Sequence, residues 1–253
     1  MKKDFPSPEV PFAYRDQPLS GNIINGLGET TKRAATQVFH GSGARDLEWS
    51  KLELFFGLIN PFKVSWLNLV NRWMLRNADG PISNNVRKIT SQAMITSEIK
   101  DLAMSFGAGS VGISPMIREA LYKGGEINYA NAIVILYPMD TEEMQHVTTG
   151  RAGTETMRAY MEISRTAIEL SKKIRAMGWR ARAYCEGADL LHIPLAISAG
   201  LGQLGKHGSL ICREFGSSMR IATILTDLPL DHDRPIDIAV SYTHLTLPTI
   251  YSV

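Results

Sequence analysis

A nearly unbroken apolar run, NAIVILYPM at 131–139, limits the possible fold more than any other segment of the chain. It is too short for a typical buried helix and rich in Ile, Val and Leu, so it predicts a buried strand. A long amphipathic helix follows over 154–177, closed by Gly178, and strand-like segments come next at 179–185 and 221–227. Helices that alternate with strands predict an α/β layer fold with a central sheet flanked by helices.

Two further elements are predicted before that strand. The segment GSVGISPM predicts a short strand, and NNVRKITSQAMITSEIKDLAMSFGA predicts a helix from residue 84 that ends at Gly107. The helix carries one apolar stripe, formed by Ile95, Ile99, Leu102 and Phe106.

Residues before 84 have a different composition. Residues 1–50 are rich in proline, glycine and polar residues, which predicts an extended arm. The region 47–75 is apolar and aromatic, and it predicts two short helices separated at Asn60–Pro61. We therefore divide the chain into an N-terminal arm with short helices over 1–83 and a main domain over 84–239.

The last residues, VSYTHLTLPTIYSV at 240–253, change character again. VSYTHLTLPT resembles the conceptual translation of a sequencing-library adapter, although Val, Tyr, Thr and Leu would also suit a terminal strand. We favour the adapter interpretation, under which the native sequence ends near Ala239 and the gene continues beyond it.

Composition indicates an ordinary globular protein. Among the 253 residues, 27 Lys and Arg face 25 Asp and Glu, so the net charge of +2 gives no direct sign of nucleic-acid binding. The two cysteines, Cys185 and Cys212, are too few for a disulfide framework. The most apolar window, 52–70, is interrupted by polar residues and falls short of a spanning helix. No targeting segment is visible, so a cytoplasmic location is expected.

A glycine-rich segment, AGLGQLGKHG at 199–208, has the spacing G-x-G-x-x-G of a dinucleotide-binding loop. LHIPLAISA before it suits a strand, and Asp227 lies at a suitable distance after it. However, KHGSLICREFGSSM is a poor helix former, so the helix that would hold a pyrophosphate is missing. A nucleotide-binding oxidoreductase is therefore disfavoured, and it would require a helix after Gly205.

Two side chains of the predicted elements are candidates for proton transfer. Tyr160 lies on the apolar face of the long helix and is predicted to point at the core, either as a hydrogen-bonded core tyrosine or as a catalytic phenol. Glu186 directly follows a strand, where α/β proteins build sites. Partial burial would favour its protonated form and let it donate a proton near neutral pH, whereas a solvated loop glutamate is the alternative.

Arg220 could neutralise an anion or favour ionisation of a nearby phenol, or it could simply pair with Asp227 or Glu214. Lys206 and His207 lie within the glycine-rich segment, where they could meet the polar rim of a ligand. No metal-binding or nucleophile motif of established spacing occurs, so no metal site is predicted.

The segment PLAISAGLGQLGKHGSLICREFGSSMRIATILTDLPLDHDRPID, at 194–237, resembles the core of the cobalamin-dependent reductases that include reductive dehalogenases and epoxyqueuosine reductase. Weaker similarity extends back through 160–181 and 131–140 to about residue 90. The resemblance implies a nitroreductase-like α/β sandwich that binds corrinoid base-off, with glycines that let the main chain approach the flat macrocycle. The cofactor-binding residues that it implies are Ala199, Gly200, Leu201, Gly202, Leu204, Gly205, Lys206, His207, Gly208, Ser209, Leu210 and Met219.

The same resemblance assigns roles to three residues. Tyr160 matches the family's proton donor, Arg220 its supporting arginine, and Glu186 a residue that orients substrate or shares the proton. In such enzymes cob(I)alamin carries the reductive step, and the protein supplies position and protons. The substrate would be a small molecule such as an organohalide, and the electron donor a ferredoxin or flavodoxin.

The family pattern continues after LPL…PID with cysteine runs that hold two 4Fe–4S clusters. This chain has the suspect tail there, so we expect those clusters in the full-length protein and not in this chain, which is expected to be inactive alone. The strand ILYPMD and the long region before residue 85 favour the dehalogenase-like branch, whereas Glu186 favours the epoxyqueuosine reductases. A non-catalytic cobalamin-binding module remains a further alternative.

Overall fold

A computed structural model describes residues 60–147, 149–185, 190–205 and 207–236, together with residue 35. Several predictions lie outside these residues. They are the arm and first short helix before residue 60, the terminal segment from 240, Glu186 and Lys206.

A four-stranded antiparallel sheet forms the centre of the described part. Its strands lie in the order β1-β2-β6-β3, and a separate two-stranded hairpin is formed by β4 and β5. The continuous apolar run at 131–139 becomes the central strand β2, as predicted, because both of its faces are buried. The strands are β1 (Ser110–Pro115), β2 (Asn131–Pro138), β3 (Ala181–Tyr184), β4 (Gln203–Leu204), β5 (Leu210–Ile211) and β6 (Met219–Thr226).

The helices pack on both sides of this sheet, which confirms the predicted α/β class with a central sheet flanked by helices. Two short 3₁₀ turns, Leu75–Asn77 and Arg118–Ala120, complete the regular structure of the described residues. The helices are α1 (Phe62–Met74), α2 (Gln92–Ser105), α3 (Thr141–Met144), α4 (Gly150–Ala176) and α5 (His192–Ser198).

The two faces of the sheet bury two different cores. One face packs against α2 and α4 through residues such as Ile133, Ile224 and Ile163. The other face packs against α5 and the glycine-rich segment through residues such as Val134 and Leu225. Because side chains alternate along a strand, neighbouring residues of β2 and β6 serve opposite cores.

The helix predicted from residue 84 begins later, at Gln92. Ser91 is its N-cap, and the Ser91 hydroxyl accepts a hydrogen bond from the backbone N–H of Met94 at 3.4 Å. The chain before Ser91 instead packs beside Gly178, where the N–H of Arg87 donates to the carbonyl of Met177 at 2.8 Å. The predicted end at Gly107 is confirmed, with a φ of +107° that favours glycine.

The long helix ends as predicted before Gly178, but it begins at Gly150 rather than at 154. Glycine is a weak helix former, which hides this first turn in the sequence. The structure explains both glycines, since a Cβ at Gly150 would lie 2.5 Å from the Pro61 ring and one at Gly153 would lie 2.9 Å from Asn60 Oδ1. They let α1 approach the start of α4.

The predicted strand LHIPLAISA is wrong, because this segment forms α5. Pro194 lies in the first turn of that helix, where its missing N–H is not needed, whereas a proline would interrupt a central strand. Leu195 and Ala196 bury the inner face of the helix.

Within the residues that the structure describes, no helix is both long and apolar enough to cross a membrane.

Candidate functional site

Tyr160 and Arg220 meet where the first turns of α4 cover the start of β6. The guanidinium carbon of Arg220 lies 4.4 Å from the centre of the Tyr160 ring, a cation–π contact. Arg220 Nη2 donates to Thr156 Oγ1 at 3.3 Å, one helical turn before Tyr160. Tyr160 is half-buried. Ile163, on the same helix face, is fully buried, whereas the Tyr160 ring is only half-buried and lies against Arg220 of the interior strand β6.

Arg220 does not form the salt bridge with Asp227 that the sequence analysis considered. The Asp227 carboxylate instead accepts from Arg180 Nη1 at 3.1 Å. This leaves the Arg220 guanidinium directed at the ring and at Thr156.

A second arginine–tyrosine contact lies next to the first one. Tyr137 stands opposite Arg220 in the β2–β6 register, and its hydroxyl accepts from Arg158 Nη1 at 3.1 Å. Arg158 also forms a bidentate pair with buried Glu155, at 2.6 and 2.7 Å. Two arginines and two tyrosines thus share this end of the α4 face.

The Glu155 carboxylate is held ionised by its partners. Burial opposes ionisation, but hydrogen bonds from Arg158 and from the backbone N–H of Asp140, at 2.8 Å, outweigh it, so the pKa of Glu155 lies below its ordinary value. The hydrogen bond to Glu155 in turn raises the pKa of Arg158. This buried pair anchors the start of α4 against the loop after β2.

The glycine-rich segment lies on the opposite face of the sheet. A Cβ at Gly202 would come well inside 3.0 Å of the Ile211 carbonyl oxygen, and one at Gly200 would meet the carbonyl of Arg234 in the same way. The close approach at these glycines is to the protein's own main chain. These two glycines therefore have a packing reason of their own, and their approach to a macrocycle stays a prediction.

Gly205 is crowded as well, by the ring of His207, whereas a Cβ at Gly208 would meet nothing within 4 Å. Gly208 has a φ of +82° and lies in the tight connection between β4 and β5. As predicted, the segment after Gly205 does not form a helix in the described residues, because β5 follows there instead.

The predicted cofactor residues separate into an open group and a packed group. The open tip of the hairpin consists of Leu204, His207, Gly208 and the half-buried Ser209. The packed group belongs to the core beneath and consists of Ala199, Leu201, Gly202, Gly205, Leu210 and Met219.

Two polar atoms near the start of β6 are buried without a hydrogen-bond partner in the described part of the chain. They are Ser218 Oγ and Arg220 Nε. Buried polar atoms are normally paired, so unpaired donors at a predicted site fit a ligand with hydrogen-bond acceptors around its rim. The residues present are therefore compatible with a corrinoid, whose edge carries amide groups.

His192 lies on the face opposite Tyr160 and holds the start of α5 to the sheet. Its Nδ1 is 2.9 Å from Thr223 Oγ1 and its Nε2 is 3.3 Å from the Cys185 carbonyl oxygen. Burial lowers the pKa of His192 to about 4, so the ring is neutral at physiological pH. Cys185 and Cys212 are buried and are not joined in a disulfide. No group of three metal-ligating side chains occurs among the described residues.

The structure thus brings Tyr160 and Arg220 together and places the glycine-rich segment on the other side of the sheet. Sequence reasoning missed Thr156 and the Glu155–Arg158 pair. Both could have been found from the sequence, because Thr156 lies four residues before Tyr160 and Glu155 lies three residues before Arg158. These are the spacings of neighbours on a helix.

Comparison with known proteins identifies the relatives. No family model matches the chain. The tetrachloroethene reductive dehalogenase of Sulfurospirillum multivorans is 34% identical over 111 residues, which cover 44% of this chain and 22% of that protein. Over these residues the chain is similar to the reductive dehalogenases. It spans about a fifth of the length of that relative.

Solved structures of reductive dehalogenases share the fold. The catabolic reductive dehalogenase NpRdhA superposes with a TM-score of 0.72 at 21% identity, covering 82% of this chain and 33% of that one. A structure described as suggesting a mechanism for B12-dependent dehalogenation gives 0.64 at 24% identity, covering 69% and 28%. The epoxyqueuosine reductase of Lactococcus garvieae is 30% identical over 113 residues, covering 42% of this chain and 32% of that enzyme. The dehalogenase-like resemblance is thus the better supported one.

Proposed function

We propose that this chain is part of a corrinoid-dependent oxidoreductase of the reductive dehalogenase type. The observation that carries the proposal is the guanidinium of Arg220 over the Tyr160 ring, at the start of strand β6, in a chain similar to dehalogenases. A phenol beside a fixed cation is suited to give up a proton at a reducing site.

The overall reaction takes two electrons and one proton. They convert a carbon–halogen bond to a carbon–hydrogen bond and release halide. Bound corrinoid in its reduced state supplies the electrons to the carbon–halogen bond. We further propose that 4Fe–4S clusters of the whole protein, reduced by a ferredoxin or flavodoxin, replenish them.

Tyr160 supplies the proton in this proposal. As its hydroxyl loses the proton, negative charge develops on the ring that faces Arg220. A cation over the ring stabilises the negative charge that a phenolate spreads into its ring, so in this proposal the arginine favours proton release. Thr156 accepts a hydrogen bond from Nη2 of Arg220 and helps to hold the guanidinium over the ring.

The cofactor would be held by groups that the described structure leaves available. These are the open tip of the β4–β5 hairpin and the unpaired Ser218 Oγ just before β6. The roles of Lys206 as a cofactor contact and of Glu186 as a partner of the proton donor remain proposals about residues outside the described part. We also propose a cytoplasmic location, which is compatible with two buried cysteines that form no disulfide in the described part.

The test compares Tyr160→Phe with the matched control Tyr137→Phe in the protein expressed from the genomic reading frame that contains this chain. Tyr160→Phe should lower turnover at least about a hundredfold while cobalamin binding is unchanged, because only the proton donor is lost. Tyr137→Phe removes a neighbouring phenol that only accepts from Arg158, and it should retain turnover. Equal loss in both variants, or loss of cobalamin binding in Tyr160→Phe, would assign Tyr160 a structural role.

One sequence observation favours a second candidate function, an epoxyqueuosine reductase. The Escherichia coli enzyme of that name is 41% identical over 56 residues, covering 22% of this chain. Turnover should therefore be measured with tetrachloroethene, with 3-bromo-4-hydroxybenzoic acid, which one NpRdhA structure contains, and with epoxyqueuosine-modified tRNA. Activity on the tRNA alone would establish the second candidate, and cobalamin binding without turnover on any of them would indicate a binding module.

A further inference from the structure

Helix α1 presents an apolar ridge to solvent. Phe62, Trp66, Leu69 and Trp73 retain 83%, 55%, 60% and 63% of their accessible surface. Their spacing of four, three and four residues places them on one face of the helix. They account for four of the eleven exposed large hydrophobic side chains in the described part, although α1 is only 13 residues long.

The opposite face of α1 is fixed against α4, so the ridge cannot turn inward. Val64 and Asn71 are buried there. The contact is close, because Gly150 and Gly153 leave no room for a Cβ beside Pro61 and Asn60. The outward direction of the ridge is therefore set by the fold.

Basic residues border the ridge. Lys63, Arg72 and Arg76 are exposed, α1 contains no acidic residue, and none of the three forms an ion pair within the described part of the chain. On the helix, Lys63 lies to one side of the ridge and Arg72 to the other. Lys63 helps to lower the pKa of Glu143, but that carboxylate is bound by Arg151 at 2.6 Å. This basic border attracts anions.

The size of the ridge fits a shallow surface contact better than a stable dimer. The four side chains expose roughly 500 Å² together, since a large aromatic side chain offers about 150–250 Å². A stable protein interface buries about 800 Å² on each partner. Aromatic and leucine side chains on one face with lysine and arginine beside them are the features of helices that lie in a bilayer interface.

We propose that α1 binds an anionic phospholipid surface. The apolar ridge would enter the boundary between headgroups and acyl chains, and the basic border would contact lipid phosphates. This contact makes the chain peripheral to a membrane, and it is independent of the chemistry proposed for Tyr160.

The experiment is a co-sedimentation titration of the protein expressed from the genomic reading frame that contains this chain, with vesicles of phosphatidylcholine alone and of phosphatidylcholine mixed with phosphatidylglycerol. We expect saturable binding to the mixed vesicles, weakened by salt, and little binding to phosphatidylcholine alone. Trp66→Ser with Trp73→Ser should weaken binding about a hundredfold through lost apolar area. Arg72→Glu with Arg76→Glu should weaken it about thirtyfold or more.

Matched control variants separate this surface from general effects. Met94→Ser with Val147→Ser removes two other exposed apolar side chains, and Lys88→Glu with Lys123→Glu reverses two other exposed charges. Both controls should bind mixed vesicles like the unchanged chain, and circular dichroism checks that every variant is folded.

Three results would overturn the proposal. The first is equal vesicle binding by ridge variants and controls. The second is no vesicle binding together with a dimer that the ridge variants lose, which would make a second copy the occupant. The third is no vesicle binding together with a lower unfolding free energy in the ridge variants, which would mean that the chain covers the ridge itself.

Discussion

Replacing Gly202 with alanine tests whether this glycine serves the packing of the protein or the approach of a ligand. A Cβ at Gly202 would lie 2.9 Å from the Ile211 carbonyl carbon and closer still to its oxygen, whereas Cβ atoms essentially never approach other heavy atoms within 3.0 Å. Strand β5 would have to move away from β4 by several tenths of an ångström. That movement disrupts the pairing of Gln203 with Ile211 and displaces the fully buried Leu210.

The expected cost has two parts. Overpacking in a closely packed region costs about 1–3 kcal/mol, and each weakened backbone hydrogen bond costs about 1 kcal/mol. Gly202→Ala should therefore lower the unfolding free energy by about 2–4 kcal/mol in urea denaturation followed by circular dichroism. Gly208→Ala is the matched control: it adds a Cβ in open space at a φ of +82° and should cost only about 1 kcal/mol.

The comparison distinguishes the two explanations of the glycines. If Gly202 only clears space for a corrinoid, Gly202→Ala would unfold like the unchanged chain and lose affinity for cobalamin alone. That result would refute the packing explanation.

Three further predictions concern stability. Gly178→Ala should cost about 2–4 kcal/mol in urea denaturation, because Gly178 has a φ of +85° and an added Cβ would lie 2.6 Å from Val86 Cα. Glu155→Gln should cost about 2 kcal/mol in the same assay, since it leaves the Arg158 guanidinium without its bidentate acceptor; an unchanged midpoint would contradict this. His192 has a pKa of about 4 in the folded chain against an ordinary value of 6.5, so only the unfolded chain binds this proton between those values, and stability should fall as pH drops from 6.5 toward 4, by at most about 3 kcal/mol. His192→Gln should reduce that pH dependence, which urea denaturation at several pH values would measure.

The sequence predicted the strands of the sheet better than the helices around it. Strands β2 and β6 were found because they are buried on both faces and read as continuous apolar runs. The first turn of α4 was missed because Gly150 and Gly153 are weak helix formers. They are needed because α1 packs closely against this turn, and a contact between distant segments leaves no local pattern in the sequence. The helix α5 had a readable signal in Pro194, which a central strand would not accept.

For the candidate site, the sequence indicated residues but not their arrangement. The resemblance pointed to Tyr160 and Arg220. In the structure the guanidinium carbon of Arg220 lies 4.4 Å from the centre of the Tyr160 ring. Spacing along the chain did not show that the glycine-rich segment lies on the other face of the sheet. That placement follows from the alternation of side chains on β6, where Met219 and Arg220 face opposite cores.

The most direct test of the proposed function is a cobalamin titration of the protein expressed from the genomic reading frame that contains this chain, followed by its visible spectrum. The proposal predicts saturable binding with a base-off spectrum. It also predicts that the Arg220→Gln variant remains folded. A folded protein that leaves the cobalamin spectrum unchanged at every concentration would contradict the corrinoid-dependent function.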